Sequence, residues 1–420
     1  MGERPAGGIP EATELAVATP LRRNTGFRML WIGQVLSECG TEAALVAYPL
    51  LILALTHSPS TAGVVGTAQI AVRLVLGLPG GALSDRFDRR LIMIVCDSVR
   101  AGTLALLTVL VLAGVATWPM VLAVAVVDTA ANALFDPSVN SVLPNIVPDE
   151  QLERAWAATE GRTYAASLVG PALGGFLFGL GRAIPFLFDA LSYLASVWAL
   201  GRIRGRFRSE VAGERQGMWS RIADGIRLVV RNPLLRAVLI QAPLLNFAFN
   251  GVIFTITVSL RQSGSSAAAI GFALAGISVG GLLGAVTASW FQRRLPMRPM
   301  VILLNVAGTV LFAVAALLLP SPLVAIPVAA VLLLAPAASA ALNAAQMRTT
   351  PEHMRGRVSS AVFLIAMSLA TLAPLTAGLL VQHVSGRWAL APFSAAMGVA
   401  AVLSMTLSGL RTTGVPDARS

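Results

Sequence analysis

The sequence predicts an all-α integral membrane protein in which twelve helices cross the bilayer. Hydrophobic residues fill 56% of the 420 positions and charged ones only 12%, too little polar surface to cover a soluble core of that size. Apolar runs of about 20 residues, enough to cross ~30 Å of hydrocarbon, recur along the whole chain. The 31 basic residues are all arginine, and they gather in alternate loops.

Apolar runs bounded by charge, Pro and Gly place the spans, in order, at 27–55, 60–83, 91–113, 118–137, 158–180, 183–202, 236–260, 268–291, 299–319, 322–344, 357–382 and 388–410. The loops after odd-numbered spans contain only Arg182, Arg261 and Arg387. Arg73 and Arg100 fall within spans, and every other arginine is assigned to a tail or a loop after an even-numbered span. The positive-inside rule then puts both termini in the cytoplasm. The expected organisation is an N-terminal tail (1–26), a six-helix bundle (27–202), a cytoplasmic central loop (203–235), a second six-helix bundle (236–410) and a C-terminal tail (411–420). The segment Met1–Arg23 lacks the apolar core of a signal peptide. In the central loop, Trp219, Ile222, Ile226, Leu228 and Val229 form one apolar side of a short helix, either lying on the inner membrane face or serving as a plain linker.

Composition also excludes chemistry. Without lysine there is neither a phosphate-binding loop of the Walker type nor a Schiff base, and no enzyme activity or cofactor is expected. The net charge of +11 is explained by topology, so no nucleic-acid partner is expected. Cys39 and Cys96 fall inside spans and read as packing residues. His57, His353 and His383 lie in loops or at helix ends, and no metal site is expected.

The chain repeats itself at an offset of about 204 residues. "LGLPGGALSDRFDRR" matches "GLLGAVTASWFQRR", pairing Gly77 with Gly281, Gly80 with Gly284, and Arg89–Arg90 with Arg293–Arg294. Pro148 and Pro171 are 23 apart, as are Pro351 and Pro374, and Gly175 and Gly378 follow at equal distances. Two pseudo-symmetric halves in parallel orientation follow, as in transporters whose site lies between repeats.

An ionisable group inside the bilayer is a functional candidate by default. Those present are Glu38, Glu42, Arg73, Asp97, Arg100, Asp128 and Asp189, all in the first half. Gln34, Glu38 and Glu42 share one stripe of the first helix. Glu38 and Arg73 lie at similar depth, so Glu38 is either an ion-pair partner of Arg73 or a proton or substrate group. Glu42 has no evident partner and is the expected proton carrier. Asp97 and Arg100, three residues apart, are expected to neutralise each other. Asp128 and Asp189 either accept hydrogen bonds from neighbouring helices or line the central cavity. Asp136, in "FDP", is expected at a helix end.

"GALSDRFDRR" resembles the G-x-x-x-D-R-x-G-R-R signature of the major facilitator superfamily: Gly81, Asp85, Arg86, Arg89 and Arg90 match, and Asp88 replaces a glycine. "GPALGG" (Gly170, Pro171, Gly174, Gly175) is similar to the core of the motif of its exporters, whose two leading glycines are Ala157 and Ala166 here. "FRMLWIGQVLSECG", "DSVRAG", "FDPSVNSVLPNIVP" and "FLFDALSYLAS" resemble an exporter branch that includes macrolide-efflux and enterobactin-exporter proteins. The resemblance implies the major facilitator fold and a proton-coupled exporter of drugs, antibiotics or siderophores, working by alternating access as a monomer in the bacterial inner membrane. A nutrient importer or a non-transporting membrane sensor is the alternative. Drug antiporters of the superfamily often carry an arginine on the fourth helix; here that helix has Asp128 and no arginine, so their proton-relay assignment does not carry over. The resemblance further implies that Asp85 latches the halves by meeting the start of the eleventh span, here "PEHMRGRVSS" with Arg355 and Arg357. The second copy has Ser289 in place of Asp85.

Overall fold

A computed structural model describes residues 21, 23–202, 218–384 and 386–407. Both expected tails lie almost wholly outside these residues, and no strand occurs among them. The first half consists of α1 (Thr25–Thr56), α2 (Pro59–Arg86), α3 (Arg89–Leu112), α4 (Trp118–Ile146), α5 (Asp149–Leu180) and α6 (Ile184–Arg202). After α7 (Met218–Arg231), the second half contains α8 (Pro233–Gln262), α9 (Ala267–Arg294), α10 (Met297–Leu318) and α11 (Ala325–Thr349). It ends with α12 (Arg355–Ser368), α13 (Ala373–His383), α14 (Gly386–Ala389) and α15 (Ala391–Thr406). Twelve membrane-length apolar helices result among the described residues, with α12 and α13 forming one span broken by a 3₁₀ turn at Ala370–Leu372.

Local chemistry sets the starts. The side chains of Asn24, Ser58, Asn232 and Ser266 each accept a hydrogen bond from a first-turn amide, as N-caps do. Asp88, which departs from the signature glycine, caps α3 by accepting from the Arg90 and Leu91 amides at 2.9 and 3.4 Å.

Two helices outrun expectation. The fourth continues through Pro137 and Pro144 to Ile146, and the fifth begins at Asp149 rather than 158. Pro137 has no N–H, so the Ala133 carbonyl loses its helical donor. Gly80 of α2 lies against that carbonyl: a Cβ there would come within 2.5 Å of the oxygen. The repeat reproduces the arrangement in the second half. A Cβ on Gly284 of α9 would stand 2.7 Å from the Leu332 carbonyl oxygen, which Pro336 deprives in the same way. The glycine pair found in the repeat thus marks one packing device used twice.

The first-half arginines tie helices within their own bundle. Arg90 donates to the Leu200 and Gly201 carbonyls at the end of α6, at 2.9 and 2.8 Å. Arg298 donates in the same manner to the Met405 carbonyl at the end of α15. Arg89 donates to the Ser141 carbonyl of α4 at 3.0 Å.

Contacts between the halves gather at the arginine-poor end. Gly63 and Gly66 of α2 meet Pro374 of α13, and Gly378 meets the Pro59 carbonyl. The Leu375 amide donates to Thr67 Oγ1 at 3.1 Å, and the Ser60 amide to Gln382 Oε1 at 3.1 Å. Gly175 of α5 lies against Gly271 of α9. The helix expected in the central loop is α7. Its Gly225 rests on the Arg357 carbonyl, and Val229 is buried with Leu235 and Val358. Ile226 remains exposed, while the Trp219 and Ile222 side chains lie outside the described residues.

Candidate functional site

A cavity of about 340 Å³ lies between the halves. Its walls are mainly apolar, with Leu45, Ile70, Ile253 and Phe254 among them, and its polar groups include Glu42, Gln69, Arg73 and Asn250. A second chamber, about 190 Å³, lies inside the first half and is lined by Gln34, Glu38, Asn132, Asp136 and Arg100. Glu42 and Arg73 border both spaces. A broad apolar enclosure with a few charged groups at one edge suits an amphiphilic molecule.

Glu38 does not pair with Arg73. It forms a fork-on-fork ion pair with Arg162 of α5, with Nη2–Oε1 at 2.6 Å and Nε–Oε2 at 3.1 Å, and Thr163 Oγ1 adds a bond at 3.3 Å. The cause is the early start of α5, which brings it alongside α1 and places a planar guanidinium opposite the carboxylate. Arg73 stands instead on the cavity wall, within electrostatic range of Glu42 and Asp136. The sequence reading assigns Arg162 to a loop, although it falls inside the 158–180 run, where it is an intramembrane charge like the others.

Asp97 and Arg100 do not neutralise each other either. Arg100, 2% exposed, reaches across to α4, where its Nε bonds Asp128 Oδ1 at 2.9 Å. Its Nη2 donates to Thr41 Oγ1 of α1 at 3.3 Å, and the guanidinium stacks over the Tyr193 ring of α6 at 4.0 Å. One arginine therefore joins α3 to three neighbours, which a bond back along its own helix would forgo. Asp97 is left with neither oxygen hydrogen-bonded, Ser196 being nearby. Asp128 is an ion-pair partner and does not border either cavity. Asp189 accepts from Ser192 Oγ at 3.2 Å through one oxygen, while the other has no partner.

Gln34 borders the chamber and donates to Ser196 Oγ at 3.4 Å. Asp136 is not at a helix end: because α4 runs on through Pro137, the carboxylate lies mid-helix and faces the chamber, accepting from Asn132 Nδ2 at 3.4 Å.

The exporter-type motif works by contact. Gly170 lies against the Glu42 side chain and Gly174 against the Ala43 carbonyl, so α5 sits close on α1 beside the cavity. Pro171 lines the cavity, and Gly175 faces the other half. The side chains of Asp85 and Arg86 lie outside the described residues, and the latch expected there with them. Of its expected partners, Arg357 pairs with Asp224 of α7 at 3.3 Å and Arg355 with Glu352 at 3.4 Å. Gly81 lies in α2, in open space on its Cβ side.

Comparison with known proteins agrees with this architecture. The transmembrane secretion effector family matches residues 15–418. The multidrug efflux pump Tap of Mycolicibacterium fortuitum is 28% identical over 356 residues, covering 81% of this chain and 85% of that protein. Macrolide efflux protein A of Streptococcus pyogenes is 29% identical over 158 residues, 37% and 38% of the two chains. Among solved structures, a point mutant of the nucleoside transporter NupG superposes with a TM-score of 0.75 at 13% identity, covering 91% of this chain and 99% of that one. A bacterial homologue of the lysosomal transporter Spinster, inward-facing and unoccupied, gives 0.74 at 15% identity, covering 94% and 98%. The chain has the fold of a transporter and not of an enzyme. It belongs to the transmembrane secretion effector family, in the drug-exporter branch of the major facilitator superfamily.

Proposed function

We propose that the chain is a proton-coupled exporter of amphiphilic small molecules, working by alternating access as a monomer in the bacterial plasma membrane. One observation carries the reading: a largely apolar cavity between two repeats, with Glu42 at its edge, is closed by glycine contacts at the arginine-poor end. By the positive-inside rule that end faces outward, so this conformer opens to the cytoplasm and is ready to load an export substrate. The efflux activity named for Tap and macrolide efflux protein A supports the direction. Glu42, held against Gly170, is the group for which a proton and a cationic substrate compete. Arg73 beside it orients the polar end of the substrate. Drugs, antibiotics and siderophores all combine an apolar body with such a polar end.

The test uses the purified chain in proteoliposomes with an imposed proton gradient and a fluorescent amphiphilic cation. Accumulation that collapses with an uncoupler and falls at least tenfold in Glu42→Gln is expected. Accumulation indifferent to the gradient would remove proton coupling, and wild-type transport by Glu42→Gln would remove Glu42 from the site.

A further inference from the structure

Glu38, Glu42, Asp97, Asp128, Asp136 and Asp189 are carboxyl groups of the first-half helices that lie among the arginines Arg73, Arg100 and Arg162. Two of the arginines are committed, Arg162 to Glu38 and Arg100 to Asp128. Arg73 stands on the cavity wall near Glu42 and Asp136. Asp97 and Asp189, each 0% exposed, are left without an ion-pair partner among the described residues. Both Asp97 oxygens and Asp189 Oδ2 lack a hydrogen bond. So does the hydroxyl of Tyr48, 1% exposed on α1 and in electrostatic reach of Asp189, Asp128 and Arg100. Ionised carboxylates in such positions cost several kcal/mol each. A proton on each removes that cost.

We propose that Asp189 and Asp97 form a proton site, walled off from the substrate cavity and linked by Arg100 to the chamber beside it. Its role in transport rests on the proton-coupled reading above, but its protonation does not. The groups facing it are Thr41 and Tyr48 of α1, Cys96 and Arg100 of α3, Asp128 and Asp136 of α4, and Ser192, Tyr193 and Ser196 of α6. Neither acid borders the central cavity or the chamber, but Arg100 and Thr41 border the chamber. The Thr41 hydroxyl donates to the Ser37 carbonyl, so it accepts from Arg100 Nη2 and from the Tyr193 hydroxyl at 2.7 Å. This chain of polar atoms runs from the chamber to Tyr193, beside Asp189.

With both acids protonated, Arg100 and Asp128 balance, and Asp136 stands against Arg73. When Asp189 gives up its proton, a second carboxylate competes for the same guanidinium. Arg100 turning toward it loosens the bonds to Asp128 and Thr41. Thr41 precedes Glu42 on α1, so the change in charge reaches the cavity wall without the proton entering the cavity.

The test is infrared difference spectroscopy on the purified full chain, without substrate, between neutral and alkaline buffer. The wild type is expected to show the carbonyl stretch of protonated carboxyls at neutral pH. Asp189→Asn and Asp97→Asn should each remove part of it, and Glu42→Gln should leave that part in place. If both Asn variants keep the wild-type spectrum, the acids are ionised and the proposal is overturned. In proteoliposomes, Asp189→Asn is expected to bind substrate and exchange it at equilibrium like the wild type, while gradient-driven accumulation falls at least tenfold. Wild-type accumulation by this variant overturns the linkage. Should Asp189→Asn fail to fold, Asp97→Asn and Asp189→Glu carry the same measurements. A wild type whose transport ignores the gradient refutes the coupled reading alone, because the infrared bands still report the protons.

Discussion

Gly175 of α5 and Gly271 of α9 touch across the junction of the two halves: a Cβ on Gly175 would lie 2.8 Å from the Gly271 Cα. Nothing larger fits while the arginine-poor end is closed. Gly175→Val is therefore expected to disfavour this conformer. Overpacking costs about 1–3 kcal/mol, which shifts the conformer ratio roughly five- to a hundredfold. In a variant lacking Cys39 and Cys96, a cysteine at Gln69 should become reactive to an impermeant thiol reagent from the outer side. Unchanged labelling would mean that the two glycines do not form the seal.

Gly170 bears on the site itself, because its missing side chain is replaced by that of Glu42. Gly170→Val should push the carboxylate from the cavity edge and weaken binding of a cationic substrate about tenfold. A neutral substrate should be affected much less. Equal losses for both would indicate a general distortion of α5.

Arg100 and Asp128 form a buried pair, and removing one partner of such a pair costs about 3–5 kcal/mol. Arg100→Leu and Asp128→Leu should each lower the thermal unfolding temperature in detergent markedly, and the double variant should recover part of the loss. Additive losses would show that the two residues act separately.

Much of this is legible in the sequence. The number of spans, the repeat and the helix in the central loop follow from hydropathy period and arginine placement, and the structure has them among the described residues, whereas the end of the fourth helix and the start of the fifth do not follow. Partner choice is not legible. Glu38 and Arg73 match in depth, but depth along one helix does not say which neighbour stands opposite, and Arg162 does. Asp97 and Arg100 match in spacing, but a long guanidinium gains more by spanning to α4, α1 and α6 than by folding back one turn. Asp136 is misplaced on sequence because Pro137 reads as a helix end, whereas in a membrane the orphaned Ala133 carbonyl is covered by Gly80 and the helix continues.

The docked α7 separates a weak contact from a strong one. The Asp224–Arg357 pair is partly exposed, and such pairs contribute about 0–1 kcal/mol. Asp224→Asn should change trypsin cleavage near Arg227 only slightly. Val229→Asp, which buries a charge against Leu235 and Val358, should accelerate it many-fold. The reverse order would show that charge, not packing, holds α7 to α12.

Membrane sidedness has its own readout. Single cysteines at Ser265 and Ser321 should react with an impermeant reagent added to intact cells, whereas one at Gly356 should react only in inverted vesicles. The opposite pattern would invert the topology.

The uneven placement of intramembrane charge has an electrical consequence. The helices of the second half carry ionisable groups only toward their ends, such as Arg236, Arg261 and Arg348. Moving one elementary charge through the full field is worth about 2.3 kcal/mol per 100 mV. Rocking the second half therefore gains or loses little from the membrane voltage. On the proton-coupled reading, voltage dependence of turnover is expected from protons and the displacement of Arg73 and Arg100 in the first half, and from the charge of the substrate itself.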